Sequence, residues 1–569
     1  MQLLSYRERD AALSRMANEG VDILVVGGGI TGAGVALDAA ARGYRVGLVE
    51  KSDFSSGTSS KSTKLVHGGI RYLAQFDFAL VRESLVERGL LMRNAPFLVQ
   101  PVGFLLPLYA GAKRPMGMPI RPPFGVGMGL LLRAGLLLYD MMSGRLGIKR
   151  HRRISKATAE RLYPCLNTHK LEEAFIYYDA QTDDSRLTAT VIATAARHGA
   201  LVANHAELKG FRQAGGKITA AIVEDGISGR SFTIPTGTVV NAGGAFAGRI
   251  EELAGPSTIK IKPAKGVHLT VERQALKLGR GAVVLPETDD GRLLFMVPWG
   301  AHVTIGTTDT EGGDIDRPRA DNDDVAYLLR HVNRYMRCAL QESDIISAWA
   351  GYRSVVPSRR SSKASSRLSR THAVLDGPGG MVTIVGGKLT TYRRMAQDTI
   401  DHVARQKGKR VAHATERLPL SGSEDWPRAH EDLKAAATEF QLRPDTVRRL
   451  SMYGSSSRVI LDLMRATPEL AARIVPGLPY IMAEVVYACR YEMALDLADL
   501  LERRLRISFE DRSHGTQVAP TVAALMAEEL GWDETEVHRQ VNSYRSLIAD
   551  SLQHSAPAGE AERVGAHGR

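Results

Sequence analysis

A glycine-rich turn between two apolar strands constrains the fold of this chain more than any other feature. The apolar run 22–26 leads directly into Gly27-Gly28-Gly29-Ile30-Thr31-Gly32, and a helical pattern follows it. A second apolar run, 45–49, ends on Glu50. Strand, glycines, helix, strand and acidic residue in this order match the G-x-G-x-x-G fingerprint of dinucleotide-binding βαβ units. The pattern therefore predicts a Rossmann-like α/β domain near the N-terminus.

The residue types in this unit suit a dinucleotide ligand. Gly27 allows the tight turn, Gly29 lets the backbone approach a pyrophosphate, and Gly32 lets the helix pack on the strand. The helix N-terminus presents N–H groups and a partial positive charge to phosphates. Glu50 is placed to accept hydrogen bonds from ribose hydroxyls and disfavours a 2′-phosphate. We assign to cofactor binding the residues Gly27, Gly28, Gly29, Ile30, Thr31, Gly32 and Glu50.

Size and composition set outer limits on the protein. With 569 residues, of which 44% are hydrophobic, the chain is expected to form two or three domains. The three cysteines, Cys165, Cys338 and Cys489, contain no C-x-x-C pair, which excludes a disulfide framework or cysteine zinc site and fits a reducing cytoplasm. No other metal-ligand spacing occurs, and the first nine residues lack the apolar segment of a secretory signal. The net charge of +12 favours anionic partners.

Two distant segments repeat the theme of strand, glycines and helix, at 238–244 and 381–387. A nicotinamide enzyme usually binds its cofactor with one contiguous Rossmann domain, whereas here remote segments converge, which favours the longer cofactor FAD. A helix starting near Lys388–Thr390 would aim its positive end at the pyrimidine edge of the flavin. The hydroxyl-rich loop 57–60 can donate hydrogen bonds to the cofactor. These segments add to the cofactor-binding set Thr58, Ser59, Ser60, Ala242, Gly243, Gly387, Lys388, Leu389 and Thr390.

The order of strand and helix patterns predicts an α/β protein with three parts. A Rossmann-like FAD-binding domain is assembled from 20–95, 181–260 and 351–410. A mainly antiparallel β substrate domain comprises 261–350, with 96–180 as a substrate- or membrane-facing part whose chain is irregular up to about residue 170. An all-α C-terminal domain spans 415–554, and the polar tail 555–569 is expected to be disordered.

One apolar stretch, 124–142, is interrupted by Arg133 and Asp140 and followed by a basic cluster at 145–156. The internal charges and scattered glycines argue against a membrane-spanning helix. Two interpretations stay open: a buried helix with a solvated basic loop, or a segment that docks on an anionic membrane surface. We favour docking, because no metal or nucleotide motif offers another exit for electrons and quinones are dissolved in membranes.

Several further motifs resemble the FAD-dependent glycerol-3-phosphate dehydrogenases, within the D-amino-acid-oxidase-like flavoprotein group. The H-G-G-x-R-Y-L and G-G-K-x-T-T-Y-R segments are the most specific, and the match extends over about 20–400. The segments are Gly57-Thr58-Ser59-Ser60, Lys64-Leu65-Val66-His67-Gly68-Gly69-Ile70-Arg71-Tyr72-Leu73, Lys265-Gly266-Val267-His268, Ile305-Gly306-Thr307-Thr308-Asp309, Gly351-Tyr352-Arg353, Leu368-Ser369-Arg370 and Gly386-Gly387-Lys388-Leu389-Thr390-Thr391-Tyr392-Arg393.

The resemblance implies that sn-glycerol 3-phosphate is oxidised to dihydroxyacetone phosphate, with hydride passing from C2 to flavin N5. It implies a quinone or another acceptor for the electrons. The chain departs from the family pattern at 241–246, beside the cofactor, and at Arg353-Ser354-Val355, where the family has R-P-L. The second departure leaves the fine substrate preference open.

Such a reaction needs a phosphate clamp and a base for the C2 hydroxyl. Arginine forks hold phosphate best, and the matching motifs offer Arg353, Arg370, Arg71 and Lys388 as the clamp. Histidine suits the base because its ordinary pKa is near ~6.5. We assign His268 to proton abstraction and His67, Lys64 and Leu65 to cofactor contact, while Tyr72 either hydrogen-bonds substrate or packs.

Alternative functions differ in testable ways. A glycerol-3-phosphate oxidase would pass electrons to O₂ and release hydrogen peroxide. A related amine or amino-acid oxidase is the other alternative, and the cluster of arginines argues against an amine substrate, which would prefer carboxylates and aromatic walls. A nucleic-acid-binding flavoprotein would need stacking aromatics in a basic groove, yet aromatics are only 6% and the basic stretches lack them. We therefore expect no nucleic acid partner. The expected location is the cytoplasm, with contact to the inner face of the cell membrane, and homodimer formation is left open.

Overall fold

The computed structural model describes residues 4–73, 75–111, 127–279, 281–355, 371–408 and 411–552. The proposed clamp residue Arg370, the start of the apolar stretch at 124–126 and the tail 555–569 lie outside the described residues.

The described helices and strands are numbered in chain order. The helices are α1 (Tyr6–Glu19), α2 (Ile30–Ala41), α3 (Ile70–Leu73), α4 (Phe78–Asn94), α5 (Met128–Ser143), α6 (Lys156–Leu162), α7 (Asp184–Arg197), α8 (Ala247–Glu252), α9 (Asn322–Tyr335), α10 (Tyr392–Gln406), α11 (Trp426–Glu439), α12 (Pro444–Ser451), α13 (Ser457–Ala466), α14 (Met482–Glu492), α15 (Ile507–Glu510), α16 (Ala519–Leu530) and α17 (Glu534–Leu552). The strands are β1 (Ile23–Val26), β2 (Val46–Val49), β3 (Leu65–Val66), β4 (Gln100–Tyr109), β5 (Arg152–Ile154), β6 (Leu171–Gln181), β7 (Leu201–Ala203), β8 (Ala206–Ala214), β9 (Lys217–Asp225), β10 (Ser231–Pro235), β11 (Val239–Asn241), β12 (Lys262–Glu272), β13 (Ala282–Leu285), β14 (Leu294–Trp299), β15 (His302–Gly306), β16 (Thr310–Glu311), β17 (Ile345–Val355), β18 (Ala373–Asp376) and β19 (Val382–Val385).

A six-stranded sheet with the order β18-β19-β11-β1-β2-β7 forms the Rossmann-like part. All its pairs are parallel except the edge pair β18–β19. Helix α2 packs against α7 and α10, and apolar side chains of these helices and of the central strands form one core. This sheet confirms the predicted Rossmann-like fold. The sequence indicated it because buried strands of a parallel sheet appear as short, continuous apolar runs.

A second sheet of ten strands faces the first part. Its main path is β16-β12-β15-β14-β13-β4-β6-β3, with β17 paired to β12 and β5 paired to β6. The pairs are antiparallel apart from β13–β4, which confirms the predicted antiparallel β part. The expectation of an irregular chain up to about residue 170 was wrong, because β4, α5 and β5 lie there. Strand β4 is buried along most of its length, so it lacks the polar–apolar alternation that marks a half-exposed strand.

The rest of the chain forms a small sheet and a helical region. Strands β8, β9 and β10 form a three-stranded antiparallel meander. Helices α11–α17 confirm the helical C-terminal region, and a π-helix lies over Asp499–Arg504.

One disulfide joins Cys165 to Cys338, whose Cα atoms are 5.6 Å apart. Our expectation that the cysteines form no disulfide framework did not anticipate this bridge, and their support for a reducing compartment is lost. The two cysteines are 173 residues apart in sequence. They meet because the chain after α9 pairs with the segment before β6, where Arg337 N donates to Cys165 O over 2.6 Å. Spacing along the chain cannot reveal such a contact.

Candidate active site

A cavity of about 430 Å³ opens between the two large sheets. The carboxyl ends of β1, β2, β11 and β19 lead into its lining, through Gly27, Glu50, Ala242 and Gly386. Strands β12 and β17 of the other sheet, with the segment 307–309 that follows β15, supply the opposite wall. Ligands of open α/β sheets bind at the carboxyl ends of the strands, so this is the expected place for a cofactor.

The glycine turn is shaped by close backbone approach. Gly27 has a φ of +112°, and a Cβ there would lie 2.7 Å from the carbonyl oxygen of Ala242. A Cβ on Gly32 would lie 1.9 Å from the carbonyl oxygen of Gly27. Side chains are therefore excluded at both positions, and α2 begins directly at the cavity. The N–H of Ile30 donates to Ser59 Oγ over 2.9 Å, which connects the turn to the hydroxyl-rich loop.

Glu50 closes one end of the cradle. Its carboxylate accepts hydrogen bonds from Gly28 N at 2.6 Å and Ser52 N at 3.0 Å. Burial raises the pKa of Glu50, and these two backbone donors oppose the rise. Each carboxylate oxygen can accept more than one hydrogen bond, so the group can still bind ribose hydroxyls.

The downstream glycine segment closes the other end. Gly387 has a φ of +83°, and a 3₁₀ turn, Leu389–Thr391, leads into α10. The helix therefore starts slightly later than we expected, and its first turn faces the cavity. Thr390 Oγ1 accepts a hydrogen bond from His67 N over 3.1 Å, which joins this turn to the H-G-G segment.

Most of the predicted site residues line this cavity. These are Gly27, Gly29, Ile30, Thr31, Glu50, Thr58, Ser59, Leu65, His67, Arg71, Tyr72, Ala242, Gly243, His268, Arg353, Gly387, Lys388, Leu389 and Thr390. The structure does not bring Gly28, Gly32, Ser60 or Lys64 to its lining. The Lys64 ammonium instead donates to Asp184 Oδ1 over 2.9 Å, so its contact is with protein.

His268 lies on β12 and is 2% exposed. Its ring stacks on Trp349, with centroids 4.3 Å apart, and Nε2 is 2.9 Å from Thr63 Oγ1. Nδ1 has no hydrogen-bond partner among the described residues. Burial, then the charges of Arg353 and Lys64, lower the pKa of His268 well below its ordinary value. The imidazole is therefore neutral and able to accept a proton.

Three of the cations that line the cavity with this histidine are the predicted clamp residues Arg353, Lys388 and Arg71. Arg353 on β17 donates to Thr308 O, Asp309 Oδ1 and Thr307 Oγ1 over 3.2–3.3 Å. The Lys388 ammonium donates to Ser84 Oγ over 3.1 Å and lies 4.1 Å from the centre of the Tyr72 ring. Arg71 on α3 also lines the cavity. Positive charge of this density suits an anionic group such as a phosphate.

Asp179 also lines the cavity and was missed in the sequence. Its carboxylate accepts hydrogen bonds from Gly68 N at 3.1 Å, from Tyr139 Oη at 2.9 Å and from Arg88. Burial raises the pKa of Asp179, and Arg88 opposes the rise. The group holds the H-G-G segment in place. The acidic residue within the apolar run 174–180 of β6 was the available signal, since buried carboxylates are rare unless paired.

These features fit FAD. The glycine cradle leaves room for a pyrophosphate at a helix N-terminus, Glu50 suits a ribose, and the turn at Leu389–Thr391 closes the far end of one elongated cavity.

Comparison with known proteins agrees with this geometry. Residues 22–393 match the family described as "FAD dependent oxidoreductase", and 413–537 match "C-terminal domain of alpha-glycerophosphate oxidase". The chain is 36% identical to "Glycerol-3-phosphate dehydrogenase 2" of Mycobacterium tuberculosis, over 98% of this chain and 95% of that protein. It is 33% identical to the mitochondrial glycerol-3-phosphate dehydrogenase of Homo sapiens, over 95% and 75% of the two chains. The X-ray structure of the glycerol-3-phosphate dehydrogenase from Bacillus halodurans complexed with FAD is 30% identical, with a TM-score of 0.77 over 96% and 98% of the chains.

Fold and site thus define an FAD-dependent oxidoreductase. Because the similarity to these relatives extends over nearly the whole chain, the protein belongs to the FAD-dependent glycerol-3-phosphate dehydrogenase family.

Proposed function

We propose that this protein oxidises sn-glycerol 3-phosphate to dihydroxyacetone phosphate. The observation that carries the proposal is one cavity in which the FAD cradle, the buried neutral His268 and the cations Arg71, Arg353 and Lys388 meet. The names of the relatives give the same substrate. An assay with an artificial electron acceptor tests it: dihydroxyacetone phosphate should form mole for mole from glycerol 3-phosphate, and glycerol should give no turnover.

The cations provide the phosphate clamp. Arg353 presents a planar guanidinium that can hold two phosphate oxygens, and its bonds to Thr307 and Asp309 fix its orientation. Lys388 and Arg71 also line the cavity, and they add positive charge to it. Arg370 stays a predicted member of the clamp. Binding the phosphate end leaves the three-carbon end to be oriented by the remaining wall of the cavity.

His268 provides the base. It takes the proton of the C2 hydroxyl while the C2–H bond breaks with its electron pair and the carbonyl forms. FAD, when bound, supplies the acceptor for that hydride. Thr63 and the Trp349 ring hold the imidazole in one orientation during the transfer.

The acid limb of the pH profile should lie below the ordinary titration range of histidine. Only the neutral imidazole can take the proton, so activity is present above the pKa of His268 and is lost as the pH falls through it. Because that pKa lies well below 6.5, we expect kcat to be unchanged from pH 7.5 to pH 6.5 and to fall only at lower pH. Steady-state kinetics at saturating substrate measures this. A kcat that halves above pH 6.5 would contradict the assignment.

Helix α5 suits a peripheral membrane contact. Leu132, Leu136 and Tyr139 are buried, while Leu130, Leu137 and Met141 on the opposite face are 62%, 50% and 68% exposed. Helices α3 and α4 pack against α5, and Phe76 and Phe78 between them are also exposed. Exposed basic residues flank this surface, namely Arg133, Arg145, Lys149, Arg150, Arg152, Arg153 and Lys156. No described helix is long and apolar enough to cross a bilayer.

We propose that this α5 surface docks on an anionic membrane and that a membrane quinone is the electron acceptor. Apolar side chains inserted at the headgroup boundary and cations facing acidic lipids are the two terms that hold such proteins. The buried side of α5 shares a hydrophobic core with the cavity residues Tyr72, Phe104 and Tyr177. The cavity is therefore close to the face that would meet the membrane. An oxidase that uses O₂ instead would release hydrogen peroxide and ignore added quinone.

A negative charge on the exposed side of α5 should weaken docking. Leu137→Glu and Met141→Glu are each expected to reduce binding to phosphatidylglycerol vesicles about tenfold or more. Each change removes one apolar side chain that would insert into the bilayer, and the new carboxylate is repelled by the anionic lipids. Vesicle sedimentation measures this. Ile227→Glu is the matched control, since Ile227 is 59% exposed on a distant hairpin. Equal binding by all four proteins would refute docking through α5.

We also propose the domain division stated above. Its support is that all strands of the six-stranded sheet lie in the three FAD-binding segments, whereas the strands of the ten-stranded sheet, apart from β3 and the last residues of β6 and β17, lie in 96–180 and 261–350. Homodimer formation, left open above, can be tested by light scattering.

A further inference from the structure

The C-terminal region contacts one of the loops that line the cavity. No described residue beyond Met395 lines the cavity. The loop 51–64, called here the cofactor loop, contributes Thr58 and Ser59 among other lining residues. Its remaining side is held by buried arginines that belong to the C-terminal region. The buried arginines concerned are Arg503, Arg504 and Arg506.

The first contact is at Asp53. Arg504 donates to both carboxylate oxygens of Asp53, with distances of 2.7 and 2.8 Å, and Arg503 Nε donates to Oδ2 over 2.6 Å. Asn204 adds a fourth hydrogen bond of 3.0 Å. Asp53 is fully buried, and Arg504 is 1% exposed. Such a carboxylate fixes the loop in one position, because moving it would leave buried charges unpaired.

The second contact is at the backbone of Ser60. Arg506 Nη2 donates to the carbonyl oxygen of Ser60 over 2.9 Å. The Arg506 guanidinium is buried and lies 4.5 Å from the centre of the Phe509 ring. Arg506 adopts a positive φ of +67°, the region that favours glycine. A non-glycine residue in this region is uncommon, which is consistent with a side chain required at this place.

The held loop contacts the glycine turn directly. Ser55 N donates to Gly28 O over 3.0 Å, and Ser59 Oγ accepts from Ile30 N over 2.9 Å. The contact at Asp53 precedes this pair of bonds in sequence, and the contact at Ser60 follows them. A shift of the loop would therefore move the hydroxyl groups and the turn that cradle the pyrophosphate.

We propose that Arg504 and Arg506 are positioning residues that hold the cofactor loop in its FAD-binding geometry. The C-terminal region thereby sets the affinity for FAD without touching the cavity. Buried ion pairs add little net stability compared with apolar packing, but they fix one geometry. The inference rests on FAD binding alone, so it holds or fails independently of the substrate.

The experiment measures FAD binding to apoprotein from which the flavin has been removed. Arg506→Met and Asp53→Asn are expected to raise the dissociation constant for FAD about tenfold or more, the change produced by losing one hydrogen bond to a charged group. Arg506→Lys, which retains a donor, should restore part of the affinity. Quenching of flavin fluorescence on reconstitution gives the constant, and circular dichroism checks that each apoprotein is folded.

Arg473→Gln is the matched control. Arg473 bridges Asp445 and Thr446 inside the C-terminal region and is remote in its contacts from the cofactor loop. We expect this change to lower the Tm of the apo and FAD-bound forms equally and to leave the dissociation constant within about twofold. In Arg506→Met the gap between the two Tm values should shrink. If Arg506→Met does not fold, the Asp53→Asn variant decides. Unchanged FAD affinity in a folded Arg506→Met or Asp53→Asn variant would overturn the proposal.

Discussion

Replacing His268 with glutamine should lower kcat about 10²-fold or more while the bound flavin is retained. Glutamine can still hydrogen-bond Thr63 and lie against Trp349, but its amide cannot accept a proton. General-base catalysis contributes about 10²–10⁴ to a rate, so the loss should fall mainly on kcat. Turnover with an artificial electron acceptor, together with the visible flavin spectrum, gives both quantities.

His302 provides the matched control for this change. It lies on the neighbouring strand β15, is similarly buried and has an Nδ1 without a hydrogen-bond partner among the described residues. It does not line the cavity. His302→Gln should therefore lower the Tm and leave kcat nearly unchanged. Equal losses of kcat in the two variants, or near-normal turnover by His268→Gln, would remove His268 from the role of base.

Replacing Arg353 with methionine should raise KM for glycerol 3-phosphate about 10²-fold or more. Methionine keeps the length of the side chain but removes two charge-assisted hydrogen bonds to phosphate, each worth about 1.5–3 kcal/mol, and every ~1.4 kcal/mol is a factor of ten. Selectivity for glycerol 3-phosphate over glycerol should fall with it. Competition kinetics with the two substrates measures the ratio.

Two further arginine variants separate charge from geometry. Arg353→Lys keeps the charge without the planar fork, so its KM should lie between those of the parent and Arg353→Met. Arg334→Met removes an exposed arginine on α9 that pairs with Asp289 and should leave KM unchanged. The clamp assignment fails if Arg353→Met keeps its preference for the phosphorylated substrate.

Local patterns in the sequence were sufficient to predict most of the cofactor-binding residues. The glycines, Glu50 and the segment after β19 follow their strands directly, so their positions were fixed once the strands were recognised. The residues that the ten-stranded sheet contributes to the cavity wall were harder to predict. His268, Trp349 and Gly306 meet only because β12 pairs with β15 and β17 in one register. Pairing between distant strands leaves no mark in a short sequence window.

Other differences have the same origin. Lys64 belongs to a recognisable motif, yet its ammonium contacts Asp184 because α7 begins beside the cofactor loop. The Cys165–Cys338 bridge depends on how the chain after α9 packs. The apolar stretch suited a buried helix and a docking surface equally well, and α5 has both characters, since one side is buried and the opposite side is exposed.

The central claim is that an FAD-bound cavity oxidises a three-carbon phosphomonoester, and anaerobic reduction of the bound flavin tests it most directly. Purified yellow protein is mixed without oxygen with glycerol 3-phosphate and, separately, with glycerol, while the absorbance band near about 450 nm is followed. We predict that glycerol 3-phosphate bleaches the band and glycerol does not. A band that persists with glycerol 3-phosphate, or that glycerol bleaches equally fast, would contradict the account.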